Sequence, residues 1–243
     1  MKLSAEKIKS ALCFDAEVFV YDSVDSTNLL AEKIAADYGK PVIIAAESQT
    51  DGRGRNGKSF YSPDTGLYFS IVTHPDSDFY SMNTVTCGAS VAVVRAVEKL
   101  TGLKPKIKWV NDIYLDGRKV CGILCRALGG NGKIKHLITG IGINILTEAF
   151  PEEIKEIAGS LCAAVDKNLL LAEIANNLFN LPDGYMDEYR EKSCVIGREI
   201  IYFVNGVRHS AQAVDIDENG GLTVSDGKEK TVLTGGEITV RFN

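Results

Sequence analysis

The stretch GRGRNGKSFYSPDTGLYFSIVT, residues 52–73, decides what kind of fold this chain can have. Its first eight residues satisfy G-x-x-x-x-G-K-[ST], the phosphate-cradling P-loop of many nucleotide hydrolases. That loop needs a strand leading in and a helix starting at the Lys-Ser pair, so that the helix N-terminus meets the phosphate. The strand is present, since PVIIAAE (41–47) reads as a buried one. The helix is not. After Ser59 come a turn at Pro63-Asp64-Thr65-Gly66 and then GLYFSIVT (66–73), a strand rich in β-branched and aromatic residues. A later apolar strand ending in a magnesium-binding aspartate is also missing, because LITGIGIN ends in Asn144. The stretch is therefore strand, loop, strand. Arg53, Arg55 and Lys58 concentrate positive charge there, glycines permit close backbone approach, and guanidinium groups bind phosphate in bidentate fashion. The reading is an anion-binding loop that closes over its ligand; the plainer alternative is a mobile surface loop.

Working outward, residues 5–13 read as a short helix and EVFVYD (17–22) as a strand. STNLLAEKIAADYG (26–39) reads as a helix with Ser26 at the N-cap and Gly39 with Pro41 as its stop. A longer helix is expected at 83–100. IKWVNDIYLDGRKVCGILCRAL (107–128) reads as strand, tight turn at Asp116-Gly117, strand, and Gly129-Gly130-Asn131-Gly132 turns into KIKHLITGIGINIL (133–146). Residues 151–191 read as helical, with a break near Pro182-Asp183-Gly184. From Val195 short strands alternate with Asn-Gly, Asn-Gly-Gly and Asp-Gly turns, the pattern of a small five-stranded β-barrel. The expected fold is α+β: a mixed β-sheet flanked by helices over residues 1–192 and a small β-barrel over 193–243.

The bulk numbers narrow the function. The chain has 243 residues, 45% hydrophobic and 24% charged, as an ordinary globular protein does. Its 27 basic and 32 acidic side chains give a net charge of −5, which argues against nucleic-acid binding. The six cysteines form no C-x-x-C and the three histidines lie far apart in sequence, which argues against zinc. Cys121 and Cys125 lie in an apolar run, and the thiols are read as reduced in a cytoplasmic protein. MKLSAEKIKSALCF has no continuous apolar core, so no signal peptide is expected, nor is a membrane span.

Two more fragments carry chemistry. GIGIN (140–144) half-matches a dinucleotide fingerprint, but Ile145 stands where a third glycine would, and the fragment lies in a strand. Its glycines would let a ligand ring lie against the backbone, with Asn144 reading an amide-bearing ring edge; a simple glycine bulge is the alternative. In IKWVNDIYLDGRKVCGI, Lys108, Trp109, Asn111, Asp112 and Lys119 gather around a hairpin. Asp112 and Lys119 could hold a carboxylate and a cation near one phosphate, whereas Lys108 reads as a solvated hairpin residue and Trp109 as core.

DSTN (25–28), QTDGRGRNG (49–57), KWVNDIYLDGRKVCGI (108–123), GIGIN (140–144) and GGEI (235–238) occur together in the order seen in biotin protein ligases, which the chain resembles from about residue 18 to its end. The resemblance implies a class II synthetase-like core with a C-terminal Src-homology-type barrel. It implies that biotin is activated by ATP and magnesium to biotinyl-5′-AMP and passed to one lysine of a biotin carboxyl carrier protein, with no covalent enzyme intermediate. By matching positions, Arg55, Lys119 and Asp112 are the expected catalytic residues. Ser26, Thr27, Gln49, Gly52, Arg53, Tyr68, Lys119, Gly140 and Gly142 are expected around biotin, and Arg53, Arg55, Phe60, Asn111 and Asn144 around the adenylate. Magnesium is expected with ATP and not at a dedicated protein site. The family usually has proline at the position of Val110, often alanine at Cys121 and commonly tryptophan at Phe60. Only about 15 residues precede the first core strand, so no DNA-binding domain is expected; the resemblance allows a homodimer. Lipoate or octanoate ligases share the activation chemistry but carry an Arg-Arg-x-x-Gly-Gly-Gly type segment that this chain lacks. A non-catalytic binder of biotinyl-adenylate is the alternative of another class.

Overall fold

The computed structural model describes residues 2–75, 81–130, 133–204, 206–235 and 238–240. Seven strands build the larger sheet: β1 (Glu17–Val24), β2 (Val42–Gln49), β3 (Gly66–Thr73), β4 (Lys106–Lys108), β5 (Asp112–Leu115), β6 (Arg118–Gly130) and β7 (Lys133–Asn144). Their order is β1-β2-β3-β7-β6-β5-β4. β1 and β2 run parallel, as a crossover through a helix requires; the other neighbours are antiparallel. The helices are α1 (Ala5–Ala11), α2 (Thr27–Ile34), α3 (Met82–Thr101), α4 (Lys167–Phe179) and α5 (Tyr185–Lys192). A mixed sheet flanked by helices is thus the observed architecture.

Side-chain alternation assigns the two faces. Ile43 and Ala45 of β2, Leu67, Phe69 and Ile71 of β3, and Ile141 and Ile143 of β7 join the main core with α3 and α4. The residues between them, Val42, Ile44, Val72 and Ile138, pack against Ala31 and Ala35 on the α2 side. With eight residues, α2 is about 12 Å long at 1.5 Å per residue, too short to cover its face of the sheet. At the N-terminus of α2 and beyond it, that face carries Tyr68, Ser70, Gly140, Gly142 and Asn144 in register across β3 and β7.

Three local readings change. Residues 107–128 form β4, β5 and β6, not one hairpin, because Trp109–Asn111 turn the chain before β5. The Trp109–Val110 peptide in that turn is cis. The expected Asp116-Gly117 turn is there, with both residues at positive φ and Leu115 paired to Arg118. The helix expected over 26–39 stops at Ile34, and a 3₁₀ turn follows at Ala35–Asp37. The helix expected from 151 begins only at Lys167. Ile154, Ile157, Ala158 and Leu161 have helical spacing, but the backbone around Ala158 pairs with Lys119, through Lys119 N–H to Ile157 O and Gly159 N–H to Lys119 O, both 2.8 Å. Tertiary pairing overrides the periodicity.

The C-terminal strands β8 (Glu199–Val204), β9 (Val207–Ile216), β10 (Leu222–Ser225), β11 (Lys230–Leu233) and β12 (Ile238–Val240) form an antiparallel sheet of order β11-β10-β9-β8-β12. Ile200, Ala213, Ile216, Leu222 and Ile238 belong to the same apolar cluster as the main core. Asn131, Gly132, Gly236 and Glu237, which the turn and GGEI readings used, lie outside the described residues. Among the described residues no helix is long and apolar enough to cross a membrane.

Candidate functional site

A cavity of about 300 Å³ opens where α2 leaves the sheet uncovered. Its floor is glycine. Gly122 and Gly142 are paired across β6 and β7, and side chains there would meet the Phe60 ring at 3.0 and 2.7 Å. At Gly140 a side chain would strike the Asn28 amide at 2.2 Å. Each glycine therefore makes room for a flat group above it. Register runs through both strands here without a shift, so GIGIN is not a bulge.

The start of α2 supplies the neutral polar wall. Thr27 donates from its backbone N–H and its hydroxyl to Gln49 Oε1, at 2.9 and 3.2 Å, and Gln49 Nε2 donates to Ser62 at 2.9 Å. Ser70 Oγ lies 2.8 Å from Thr27 Oγ1 and 2.7 Å from Asn28 Oδ1, and Asn28 Nδ2 donates to Leu124 O. Ser26, extended and buried, stands at the N-cap without a side-chain capping bond. The buried polar atoms of this wall thus hold one another in place.

The opposite side is charged. Lys119 Nζ sits 2.6 Å from Asp112 Oδ1, with both side chains largely buried. Arg55 donates to Asn111 Oδ1 at 3.3 Å; Asn111 is fixed in turn by Nδ2 to Ile123 O at 2.9 Å and by Ile123 N–H to its own carbonyl. Arg53 pairs with Asp51 at 3.1 Å. The loop carrying these arginines is a small hairpin: Arg53 bridges Ser59, and Phe60 N–H to Gly52 O and Gly54 N–H to Lys58 O are both 2.7 Å. No helix begins at Lys58-Ser59, so the P-loop reading fails in three dimensions as well. Asn144 donates to Gly159 O at 2.8 Å, while its buried Oδ1 accepts nothing from the described residues. An apolar rim of Tyr61, Phe150, Ile154 and Ile157 completes the cavity. Burial and the Asp112 charge push the Tyr114 phenol up to about 12, so it stays a neutral donor. Burial likewise pushes the Cys121 thiol up, against the pull of Lys119, which leaves a poor nucleophile.

Most residues singled out in the sequence line this one cavity: Ser26, Thr27, Gln49, Arg53, Arg55, Phe60, Asn111, Asp112, Lys119, Gly140, Gly142 and Asn144. Two do not. Tyr68 lies on the same face but is fully buried, hydrogen-bonded to Pro63 O and touching Phe60 edge-on at 6.3 Å. Gly52 packs under the hairpin, where a side chain would meet Phe60 O at 2.4 Å. Lys108, read as solvated, in fact borders the cavity, 3.4 Å from the Tyr114 hydroxyl. Asn28, Ser70 and the 150–158 rim were missed. Ser70 left a trace, a small hydroxyl between Phe69 and Ile71 in a largely apolar strand.

Fold and site together define a mixed-sheet domain with a cavity that offers a flat neutral floor at one end and fixed cations at the other. The chain belongs to the biotin/lipoate A/B protein ligase family, whose model matches residues 20–144. It is 31% identical over 184 residues to the bifunctional ligase/repressor BirA of Bacillus subtilis. That match covers 73% of this chain and 57% of the relative, so the chain spans little more than half of that protein's length. It is 28% identical over 232 residues to the biotin–[acetyl-CoA-carboxylase] ligase of Mycobacterium tuberculosis, covering 88% of this chain and 85% of that one. The fold is similar to the biotin protein ligase of Aquifex aeolicus in complex with biotin and ATP, with 27% identity, a TM-score of 0.79, and 93% and 99% of the two chains covered.

Proposed function

We propose that this chain is a biotin protein ligase: it joins biotin to ATP as biotinyl-5′-AMP and transfers the biotinyl group to a lysine of a biotin carboxyl carrier protein. The observation that carries the reading is the placement of Arg55 on Asn111 and Lys119 on Asp112 at one end of a glycine-floored cavity.

The uncharged ring head of biotin would lie over Gly140 and Gly142 against the Ser26–Thr27 wall, with Gln49 holding Thr27 in place. Its carboxylate would reach the cations. A carboxylate oxygen attacks the α-phosphorus and pyrophosphate leaves. Both partners are anionic, so Arg55 and Lys119 remove their repulsion and stabilise charge at the α-phosphate as the bond forms. Arg53 supplies a further cation beside them. Asn144 Oδ1 is a buried acceptor suited to the amino group of adenine, and Phe60 offers the ring an aromatic face. In the second step the carrier amine attacks the acyl carbon and AMP departs; Asp112 orients the amine and takes its proton. Magnesium would enter with ATP, held by phosphates and water; Asp112 is the carboxylate among the described lining residues. We assign residues 1–192 to the catalytic domain and 193–243 to a small domain closing as a Src-homology-type barrel, in a cytoplasmic protein with no DNA contact.

The test is pyrophosphate exchange with magnesium and ATP, followed by the mass of a carrier domain. Biotin drives exchange and the carrier gains one biotinyl group per modified lysine. Exchange driven by lipoate and not by biotin overturns the reading.

A further inference from the structure

We propose that Trp109 is a positioning residue: through it the loop at residues 217–221, between β9 and β10, holds the catalytic turn in place. The inference rests on the ligase reading above. Trp109 is 4% exposed, and a core position of that kind asks only for an apolar ring. Its indole N–H does more, donating to Gly220 O at 2.9 Å in a buried setting.

The loop that presents this carbonyl has its own internal support. Asp217 Oδ1 accepts from Asn219 N–H at 2.9 Å and from Gly221 N–H at 2.8 Å. Gly220 has φ +75°, and a side chain there would meet Asn83 Cβ of α3 at 2.8 Å. From the α3 side, Asn83 Nδ2 donates to Thr234 O at 2.9 Å and reaches Gly220 O at 3.5 Å, and Ser81 donates to Asn219 O. The carbonyl is therefore a fixed point, and the indole reaches to it.

On the other side of the turn, Tyr189, fully buried on α5, donates to Val110 O at 3.1 Å. Trp109 borders the cavity beside Asn111 and Asp112, yet its N–H points to Gly220 O and the Val110 carbonyl is held by Tyr189, so the turn is tied down from behind the residues that face the site. Asn111 receives Arg55 and Asp112 meets Lys119. Two residues separate the Gly220 anchor from the arginine's support. A change in the turn of a few tenths of an ångström would reach both cations, which need an oriented geometry more than they need mere presence.

Trp109→Phe keeps the ring and deletes the N–H. We expect turnover in biotin-dependent pyrophosphate exchange to fall about tenfold, the loss of one oriented buried hydrogen bond, with KM for biotin within about twofold and the urea midpoint little changed. Asn83→Ala loosens the loop from the far side and should lower turnover about threefold, less than multiplicatively when combined with Trp109→Phe. Trp109 is the single tryptophan of the chain, so its emission reads the same contact without any activity. Asn83→Ala should shift that emission to longer wavelength. Absence of exchange in the unmodified protein would defeat the ligase reading alone, and the emission would still judge the contact. Wild-type turnover in Trp109→Phe, a loss confined to KM, or unaltered emission in Asn83→Ala would overturn the proposal.

Discussion

Two of the lysine–carboxylate pairs in this molecule, Lys167–Glu47 and Lys119–Asp112, differ in what surrounds them. Lys167 and Glu47 meet at 3.0 Å with side chains 12% and 13% exposed. Lys167 also donates to Asp64 O, and Glu47 accepts from the Leu3 backbone, so α4, β2 and the N-terminal segment are stitched together. Lys119 and Asp112 meet at 2.6 Å with 30% and 20% exposure, at the wall of a cavity. Asp112 Oδ1 receives no well-directed hydrogen bond from the described residues, despite its closeness to the ammonium. A pair whose remaining valences are filled by backbone holds a fold. A pair left close but poorly directed keeps its cation available to an incoming anion.

The largest effect that could break this contrast is expected for Lys119→Ala. Adenylate formation should fall about 1,000-fold, as for loss of a positioned group that stabilises transition-state charge, while the urea midpoint hardly moves. An active Lys119→Ala protein would end the distinction. Lys167→Ala should behave inversely. It strands a buried carboxylate, so stability should drop by about 3 kcal/mol, read by urea denaturation, with turnover intact where the protein stays folded. A smaller effect sharpens the neutral end of the site. Gly142→Ala puts a methyl group 2.7 Å from the Phe60 ring, which must shift. KM for biotin should rise about tenfold, a cost of the size found for overpacking, with the Lys119-dependent step preserved.

The sheet was legible because alternation survives in β3 and β7, where one face is core throughout. The cations of the site were legible because charge and glycine are costly to place in an apolar context without reason. What sequence could not tell was direction. Tyr68 and Gly52 belong to the right segments, yet one is covered by Phe60 and the other wedged under the hairpin. Spacing made 151–161 look helical, whereas its backbone serves as a neighbour to Lys119. Trp109 read as core and is core; its second attachment depends on a loop more than a hundred residues away, which no local pattern encodes.

The hairpin at residues 52–60 carries one last consequence. Its strands are pinned by Gly52–Phe60 and Gly54–Lys58 backbone bonds, so it can swing only as one piece. Phe60, resting on the glycine floor, and Arg55, resting on Asn111, ride on that piece together. Vacating the floor and releasing the guanidinium are then a single motion, and a ligand that lifts the ring also resets the charge above it.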